Sequence, residues 1–200
     1  MNFRAASVTE LVRCLTSPEN DARTNAAREL YHRGLELAEE AIAVWRRDSE
    51  IGALVSKDTT VGIVVTPDRF AAIRSALGNP HLADVPQEQD AREFEWNVGD
   101  GVQLDILTTK EPDGAGAIAC FLAKFGEGIQ QVEFLTPDVE RATEMIRSRL
   151  GVAAIYPATR AGADGTRVNF FLVSAAAGKK VLIELVETPK RASNSRSNIL

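Results

Sequence analysis

The stretch GIQQVEFLTPDVERATEMIRSRLGV, residues 128–152, contains a strand pattern followed directly by a helix pattern. In its first part polar and apolar residues alternate, which predicts a strand with one face suited to packing. After Pro137 the apolar residues recur at helical spacing, which predicts a helix with proline in its first turn. Residues 59–79, TTVGIVVTPDRFAAIRSALGN, repeat this order, and the tripeptide Thr-Pro-Asp occurs at 66–68 and again at 136–138. Such self-similarity predicts two copies of one structural unit.

Two of the remaining strands of each copy have clear patterns. They are AREFEWNV (91–98) and VQLDILT (102–108) in the first copy, and TRVNFFLV (166–173) and KKVLIELVE (179–187) in the second. Their residue composition and alternation are those of half-buried strands. The pattern therefore predicts an α+β fold of paired βαβββ modules, which span residues 58–125 and 126–188.

The N-terminal residues 1–57 have helical periodicity, with a capping box at Ser7 and Glu10. Gly34 is expected to interrupt the helical run, which leaves short helices that are marginally stable alone. The segments LTSPENDARTNAARELYHRG and LELAEEAIAVWRRD together resemble a single HEAT-type helical repeat. Because repeat proteins need about three units for stability, two interpretations stay open. The segment is either an N-terminal helical extension that caps the main domain or a surface that recruits a protein partner.

Composition and charge restrict the classes of function. The chain of 200 residues carries a formal net charge of −5, and its apolar fraction of 44% is typical of a globular protein. A nucleic-acid-binding protein would normally present a basic face, so no nucleic-acid partner is expected. No apolar run approaches the roughly 18 residues of a membrane span, and no signal-peptide core is evident. We therefore expect no membrane partner and a cytoplasmic protein. The Ser- and Asn-rich residues 189–200 are expected to form a disordered tail.

Alternation along the predicted strands separates a packing face from a face that suits a ligand. Asp105 and Glu184 occupy equivalent places in the two copies, each within a strand otherwise suited to burial. A carboxylate at such a place needs water, a partner or a metal ion. Gln131 is expected on the same polar face, and its neighbour Gln130 on the packing face. The expected ligand-binding wall consists of Thr60, Glu93 or Glu95, Asp105, Gln131, Asn169, Phe171 and Glu184.

Several segments of the main domain resemble the vicinal oxygen chelate (glyoxalase/bleomycin-resistance) superfamily, and within it they are most similar to the methylmalonyl-CoA epimerases. The resemblance covers about residues 59–188. It is carried by VGIVVTPD, VPQEQDAREFEWNVGD, LDILTTKEP, GAIACFLAKFGEGIQQVEF, GADGTRVNFFLV and KVLIELVE. It implies a fold of two βαβββ modules around a ligand cavity.

The resemblance also implies a metal site with four ligands, taken from the first and last strands of the two modules. The residues at these positions are Thr60, Asp105, Gln131 and Glu184, so both of the family's usual histidines are replaced. The resemblance then leaves either no metal or a weakly bound Mg, Mn or Co ion on Asp105, Gln131 and Glu184. Glu88 matches the glutamate of the family's EQG segment, with Asp90 in place of the glycine. If catalysis is retained, Glu88 and Glu184 are the candidate catalytic residues.

Three interpretations of the function remain open at this level. In the first, the predicted ligand cavity binds a small molecule, such as an acyl-CoA or a carboxylate, without the family's usual catalysis. In the second, the protein is an epimerase-type isomerase or a lyase that uses an oxygen-ligand metal. In the third, the helices of residues 1–57 recruit a protein partner, and the predicted ligand cavity has a structural or regulatory role. The resemblance also leaves open whether the modules close on each other within one chain or pair across a homodimer.

Overall fold

The computed structural model describes residues 3–175 and 180–188, and this part of the chain contains six α-helices. The helices are α1 (Val8–Cys14), α2 (Asn20–Arg47), α3 (Ser49–Leu54), α4 (Pro67–Ala76), α5 (Ala117–Phe125) and α6 (Val139–Leu150). Within the described ranges, no helix is both long and apolar enough to cross a membrane. The predicted disordered tail, residues 189–200, lies outside the described residues.

Seven strands in the described residues form one curled sheet. The strands are β1 (Thr59–Val64), β2 (Arg92–Gly99), β3 (Val102–Thr108), β4 (Gly128–Leu135), β5 (Arg160–Ala161), β6 (Arg167–Ser174) and β7 (Lys180–Glu187). Their order across the sheet is β2-β3-β1-β4-β7-β6-β5. The predicted α+β fold with an N-terminal helical extension is therefore confirmed.

The strand pairing shows how the two modules are joined. The first strand of each module pairs in parallel with the last, β1 with β3 and β4 with β7. The modules meet edge to edge through the antiparallel pair β1 and β4, in which Val61 lies opposite Val132. The second module has a short edge strand, β5. At the corresponding edge of the first module, the Ala83 N–H donates a hydrogen bond of 3.0 Å to the Glu93 carbonyl.

Helix α5 lies between the modules and is an element that the repeat pattern does not predict. It begins after Gly116 and ends at Gly126, whose φ of 74° is readily adopted only by glycine. Its residue Ile118 packs with Val64 and Leu107 in a small second core on the inner side of the sheet. The helix therefore covers part of the face on which the ligand cavity lies.

The turn that leads into β4 is attached to the first module by Glu127. Its carboxylate accepts hydrogen bonds from the Thr66 N–H at 3.1 Å and from Arg69 Nε at 2.7 Å. Both donors belong to the beginning of α4. The GEGI segment thus fixes the start of β4 relative to the first module, and it does so directly before the residues of the candidate site.

The outer face of the sheet is buried, as the alternation predicts. Its buried residues are Val61, Ile63, Val65, Leu104, Ile106, Val132, Phe134, Ile183 and Leu185. Helix α2 contacts β1, β3 and β4, and Trp45 packs edge-to-face on Phe171 with 5.2 Å between ring centroids. Because the helices and the sheet share one core, the N-terminal extension is a structural cap on the main domain.

The predicted helix break at Gly34 is wrong. Helix α2 continues through this residue as one helix of 28 residues, so its two segments do not form the hairpin of a HEAT-type repeat. Glycine occurs here because the helix touches the sheet: a Cβ on Gly34 would lie 2.5 Å from Val61 Cγ1. This packing reason outweighs the helix-propensity cost of glycine, about 1 kcal/mol relative to alanine.

Gly34→Ala is expected to destabilise the protein by about 2 kcal/mol, whereas helix propensity alone would stabilise it by about 1 kcal/mol. The added methyl group meets Val61, a β-branched residue with little rotamer freedom. Chemical denaturation measures the change, and Glu40→Ala at an exposed position of the same helix is the control. Val61→Ala should relieve the clash, so the two substitutions should couple by about 1 kcal/mol or more. Strictly additive effects would contradict this contact.

Candidate binding cup

The inner face of the curled sheet encloses a cavity of about 820 Å³. Strands β2, β3, β4, β6 and β7 form its wall, and α5 and loops of both modules surround it. Cavities of several hundred Å³ are typical of sites that hold a drug-sized molecule. We refer to this cavity and its lining as the cup.

Five carboxyl side chains extend from the strands into the cup. They are Glu93, Glu95, Asp105, Glu133 and Glu184. Each alternates with residues of the core, as Phe94 does between the two glutamates of β2. The strand register places Glu95 opposite Asp105 in the first module and Glu133 beside Glu184 in the second. Each module therefore contributes a pair of adjacent acidic residues, an arrangement that is unfavourable while both members are charged.

Gln131 connects the acidic pair of the second module. Its Nε2 donates hydrogen bonds to Glu184 Oε2 at 2.7 Å and to Glu133 Oε1 at 3.1 Å. Gly62 lies opposite Gln131 on β1, and a Cβ on Gly62 would lie 2.5 Å from Gln131 Cγ. The glycine therefore leaves the space from which the glutamine reaches both carboxyl groups.

Gln130 also lines the cup, although strict alternation predicts it on the packing face. The cause is a β-bulge: Gly62 pairs with Gln131 and Ile63 pairs with Ile129, so Gln130 is an extra residue of β4. Ile129 remains packed against the core. The predicted position of Gln130 is therefore wrong, and two adjacent amides face the cavity.

Asp105 is a buried acidic residue with one oxygen that has no hydrogen-bond partner in the described structure. The residue is only 6% exposed, and within the described structure its Oδ1 atom is buried without a hydrogen-bond partner. Burial raises the pKa of Asp105 well above its ordinary value, and the neighbouring Glu93 and Glu133 raise it further. An unsatisfied buried oxygen costs free energy, so a hydrogen-bond donor brought by a ligand would be stabilised at this atom.

The pKa values of the other buried carboxyl groups shift in the same direction. Burial raises the pKa of Glu133 to about 7, although the hydrogen bond from Gln131 lowers it. Burial and the nearby Asp164 raise the pKa of Glu93 to about 7. Burial and the neighbouring Glu133 raise the pKa of Glu184 well above its ordinary value. Near neutral pH the wall therefore carries protonated carboxyl groups, which donate as well as accept hydrogen bonds.

Loops of the two modules meet at the mouth of the cup. The Asp84 N–H donates a hydrogen bond to Asp164 Oδ1 at 2.8 Å, and the Asp164 N–H donates one to the Asp84 carbonyl at 3.0 Å. Gln89 Nε2 donates a hydrogen bond to the Ala161 carbonyl at 2.8 Å. Glu88, a predicted catalytic residue, is exposed at this mouth. These contacts close the cup within one chain.

Asp90, which stands where the related segment has glycine, organises the loop after β3. Its Oδ1 accepts hydrogen bonds from the N–H groups of Lys110 at 2.8 Å and Glu111 at 3.0 Å, and its Oδ2 accepts one from the Thr109 hydroxyl. The carboxylate of Asp90 therefore shapes the edge of the cup by fixing a turn.

Two residues predicted on the wall of the cup lie on the opposite face of β6. Asn169 and Phe171 are both 0% exposed, and they pair with Leu185 and Ile183, which belong to the core face of β7. Asn169 is satisfied locally, because its Nδ2 donates to the Tyr156 carbonyl at 3.3 Å and its Oδ1 accepts from the next backbone N–H at 2.9 Å. Asn169 and Phe171, predicted to bind the ligand, therefore lie on the core face of the sheet and are not among the described residues that line the cup.

The other predicted wall residues divide into two groups. Glu93, Glu95, Asp105, Gln131 and Glu184 all line the cup, whereas Thr60 is not among the described residues that line it. Sequence reasoning missed Glu133 as a site residue, although it shares a strand face with Gln131. It also missed the contributions of Tyr156, Arg160 and Phe170, which come from the loop before β5 and from strands whose pattern does not separate their faces.

The positions that the family uses for a metal ion do not form such a site in the part of the chain that the structure describes. Thr60 lies outside the lining of the cup, and the Gln131 amide N–H is directed at two carboxyl groups. Among the described residues, no group of three or more His, Cys, Asp or Glu side chains is arranged to hold a metal ion. The carboxyl groups present also favour their protonated forms, whereas a metal ligand must be deprotonated. The donor set therefore does not fit the family's metal ion.

Several solved structures are similar to the chain. The chain is similar to methylmalonyl-CoA epimerase from Mycobacterium tuberculosis, with 30% identity, a TM-score of 0.54, and 68% of this chain and 89% of that protein covered. A variant of the Streptomyces coelicolor epimerase in complex with 2-nitronate-propionyl-CoA gives 30% identity and a TM-score of 0.54, with 67% and 95% covered. A methylmalonyl-CoA epimerase in complex with methylmalonyl-CoA and NH4⁺ gives 31% identity and a TM-score of 0.53, with 68% and 95% covered.

No protein-family model matches the chain, and no curated protein matches it. The solved structures nevertheless reach 30% identity over most of their own length, with a TM-score of 0.54 for the Mycobacterium tuberculosis protein. The chain therefore belongs to the vicinal oxygen chelate superfamily, in which methylmalonyl-CoA epimerases are among its relatives.

Proposed function

We propose that the protein binds a small organic molecule in the cup and does not perform the metal-assisted proton transfer that the resemblance implies. The observation that carries this proposal is the acidic wall of the cavity, in which Asp105 Oδ1 is buried without a partner in the described structure. Apolar side chains complete the lining, among them Leu107, Ile118 and Leu182. A few directed polar groups in an apolar wall are typical of small-molecule sites.

Electrostatics oppose the family's chemistry in this cup. Removing a proton next to a thioester carbonyl produces an enolate, whose negative charge needs a cation or hydrogen-bond donors nearby. The resemblance places Thr60 and Gln131 where histidines would help to hold that cation. Charge that develops beside Glu133 and Glu184 would be opposed by these groups whenever they are ionised. One relative was solved with methylmalonyl-CoA bound, but a carboxylate ligand would meet the same repulsion in this cup.

Metal-independent proton transfer is the second candidate function. The pKa of Glu133, about 7 through burial, favours it, because a general acid or base works best when its pKa is near the operating pH. Glu184 is linked to Glu133 through Gln131 and would be the second titrating group. The interaction-module hypothesis lacks comparable support, since the large buried residues of α2, among them Leu30 and Trp45, pack into the shared core.

Ligand-observed NMR with a library of uncharged, cationic and anionic fragments tests the proposal. We expect some fragments to bind the wild-type protein and to lose binding in Leu182→Trp, because the indole would fill space inside the cup. Exposed Leu172, the neighbour of Leu182 across β6 and β7, provides the matched control Leu172→Trp. If no fragment binds, or if Leu182→Trp has no effect on those that do, the cup is not the proposed site.

The same protein should leave methylmalonyl-CoA unchanged in D2O, with or without Co²⁺. The expected result is deuterium incorporation no faster than in a protein-free sample, measured by mass spectrometry of the recovered thioester. A methylmalonyl-CoA epimerase assayed in parallel is the positive control. Incorporation that requires Co²⁺ and disappears in Glu184→Gln would favour the epimerase interpretation instead.

A further inference from the structure

We infer that the ligand of the cup is an organic amine, which enters as a cation with an apolar body. This inference rests on the proposed small-molecule function and adds the chemical class of the ligand. It is carried by three observations on the described residues: the charge of the lining, the unpartnered oxygen of Asp105, and the apolar surface beside the acidic wall.

The lining of the cup is strongly acidic. Besides the five carboxyl groups of the strands, Glu88, Asp90 and Asp164 of the loops line it. In the described part of the lining, Arg160 is the one Lys or Arg residue. Its guanidinium lies over the Tyr156 ring, 4.5 Å from the centroid, and the residue is exposed. A positively charged ligand favours the ionised form of these carboxyl groups over their protonated form and gains their attraction as it binds, whereas an anionic ligand gains no such partner.

Asp105 provides a specific acceptor for such a ligand. Its Oδ1 is buried, has no hydrogen-bond partner in the described structure, and belongs to a residue that lines the cavity. Glu95 is its neighbour across β2 and β3, so a second carboxyl group lies next to the same position. An ammonium group has three donors and no acceptor, so it matches these carboxyl groups in their ionised form, and its positive charge favours that form. Charge-assisted hydrogen bonds of this kind are roughly twice as strong as neutral ones.

The acceptors of the second module are only partly occupied by the protein. Gln131 donates to one oxygen of Glu184 and to one oxygen of Glu133. An ionised carboxylate accepts up to about four hydrogen bonds, so both groups retain acceptor capacity toward a ligand. An ammonium beside both groups would favour their ionised forms and offset the repulsion that then arises between these adjacent residues.

The apolar part of the lining specifies the rest of the molecule. Val168, Phe170, Leu182 and Val186 line one side, and Leu107 and Ile118 line the other. Tyr156 packs edge-to-face on Phe170 with ring centroids 6.0 Å apart. Aliphatic and aromatic groups gain from burial against such surfaces. The fitting class is therefore an amine with an aliphatic or aromatic body rather than an inorganic cation or a polyamine.

Three probes with one skeleton and different head groups test this inference: 4-phenylbutylamine, 4-phenylbutan-1-ol and 4-phenylbutyrate. In a calorimetric titration at pH 8 with EDTA present, the amine is expected to bind at least about tenfold more tightly than the alcohol. The acid is expected to show no detectable binding. Asp105→Asn should weaken amine binding about tenfold while leaving the alcohol within about twofold. Glu95→Gln, at a more exposed wall position, should weaken the amine in the same direction if Asp105→Asn fails to fold. Asp113→Asn, at an exposed loop residue outside the lining, should change neither.

Equal binding of amine and alcohol, tighter binding of the acid, or an Asp105→Asn variant that keeps full amine affinity would overturn the inference. The fragment screen separates this failure from failure of the proposed function. If uncharged or anionic fragments bind in a manner sensitive to Leu182→Trp while the amines do not, the cup is a binding site but its ligand is not an amine. If no fragment of any charge binds, both proposals fail.

Discussion

A chain that begins at residue 57 is expected to be insoluble or unfolded. Removing the N-terminal helices would expose the outer face of the sheet, including Val61 and Phe171, which are 0% exposed in the intact protein. It would also remove buried residues such as Leu30 and Trp45. Each large apolar side chain contributes about 1.5–3 kcal/mol through burial. A handful of such losses equals the whole stability of a typical domain, about 5–15 kcal/mol.

Circular dichroism and size-exclusion chromatography of the shortened chain measure this effect. Co-expression of residues 1–56 as a separate polypeptide is the matched control, and it should restore soluble material. A shortened chain that unfolds cooperatively by itself would mean that the helices are an independent attachment. That outcome would revive the hypothesis that they serve a protein partner.

The free energy of unfolding is expected to fall as the pH rises from 5 to 8. The pKa of Glu133 is raised from 4.5 to about 7 by burial, and burial raises the pKa of Glu93 to about 7 as well. The folded protein therefore binds these protons more tightly than the unfolded chain does. The stabilisation is fully present below the ordinary pKa and is lost as the pH rises through about 7. For one such group the loss is on the order of 3 kcal/mol.

Urea denaturation at several pH values measures this dependence. Glu133→Gln should reduce the loss of stability between pH 5 and 8, because the amide does not ionise. Glu40→Gln removes an exposed glutamate of α2 and should leave the pH dependence unchanged. If stability instead rises with pH in this range and Glu133→Gln makes no difference, the carboxyl groups of the cup are ionised in the folded protein.

The fold could be predicted from the sequence because the same pattern occurs twice, so that each copy supports the assignment of strands and helix in the other. Two segments with the same strand and helix patterns also share the tripeptide Thr-Pro-Asp, and chance would not maintain both signals. The buried face of each central strand followed from strict alternation, as in β3, where Leu104 and Ile106 are both 0% exposed. Local pattern was sufficient wherever one face of a strand was clearly apolar.

The wrong predictions concern local sequence patterns that are compatible with two different structures. Glycine within a helix either weakens it or permits a close contact, and only the position of Val61 shows that Gly34 does the second. In β6 the sequence NFFLV has apolar residues on both faces, so its polar residue Asn169 misleadingly indicated the ligand side. The bulge at Gln130 depends on pairing between β1 and β4, which sequence periodicity does not contain.

The acidic cup was only partly predictable for a related reason. Asp105 and Glu184 were conspicuous because a carboxyl group is unusual in the middle of a buried strand. That they line one cavity together with Glu93 and Glu133 depends on how the sheet curls. The raised pKa values then follow from burial and proximity together, and neither can be obtained from residue spacing.

The most direct test of this account is a carbon-13 NMR titration of the Asp and Glu side-chain carboxyl groups in the free protein. The account predicts that Glu93 and Glu133 titrate near pH 7, and that Asp105 and Glu184 titrate well above their ordinary range. Asp105→Asn and Glu184→Gln assign the corresponding signals. If all four groups titrate near pH 4, the ordinary value for solvated carboxyl groups, the cup does not contain a wall of buried, protonated carboxyl groups and this account of the site is contradicted.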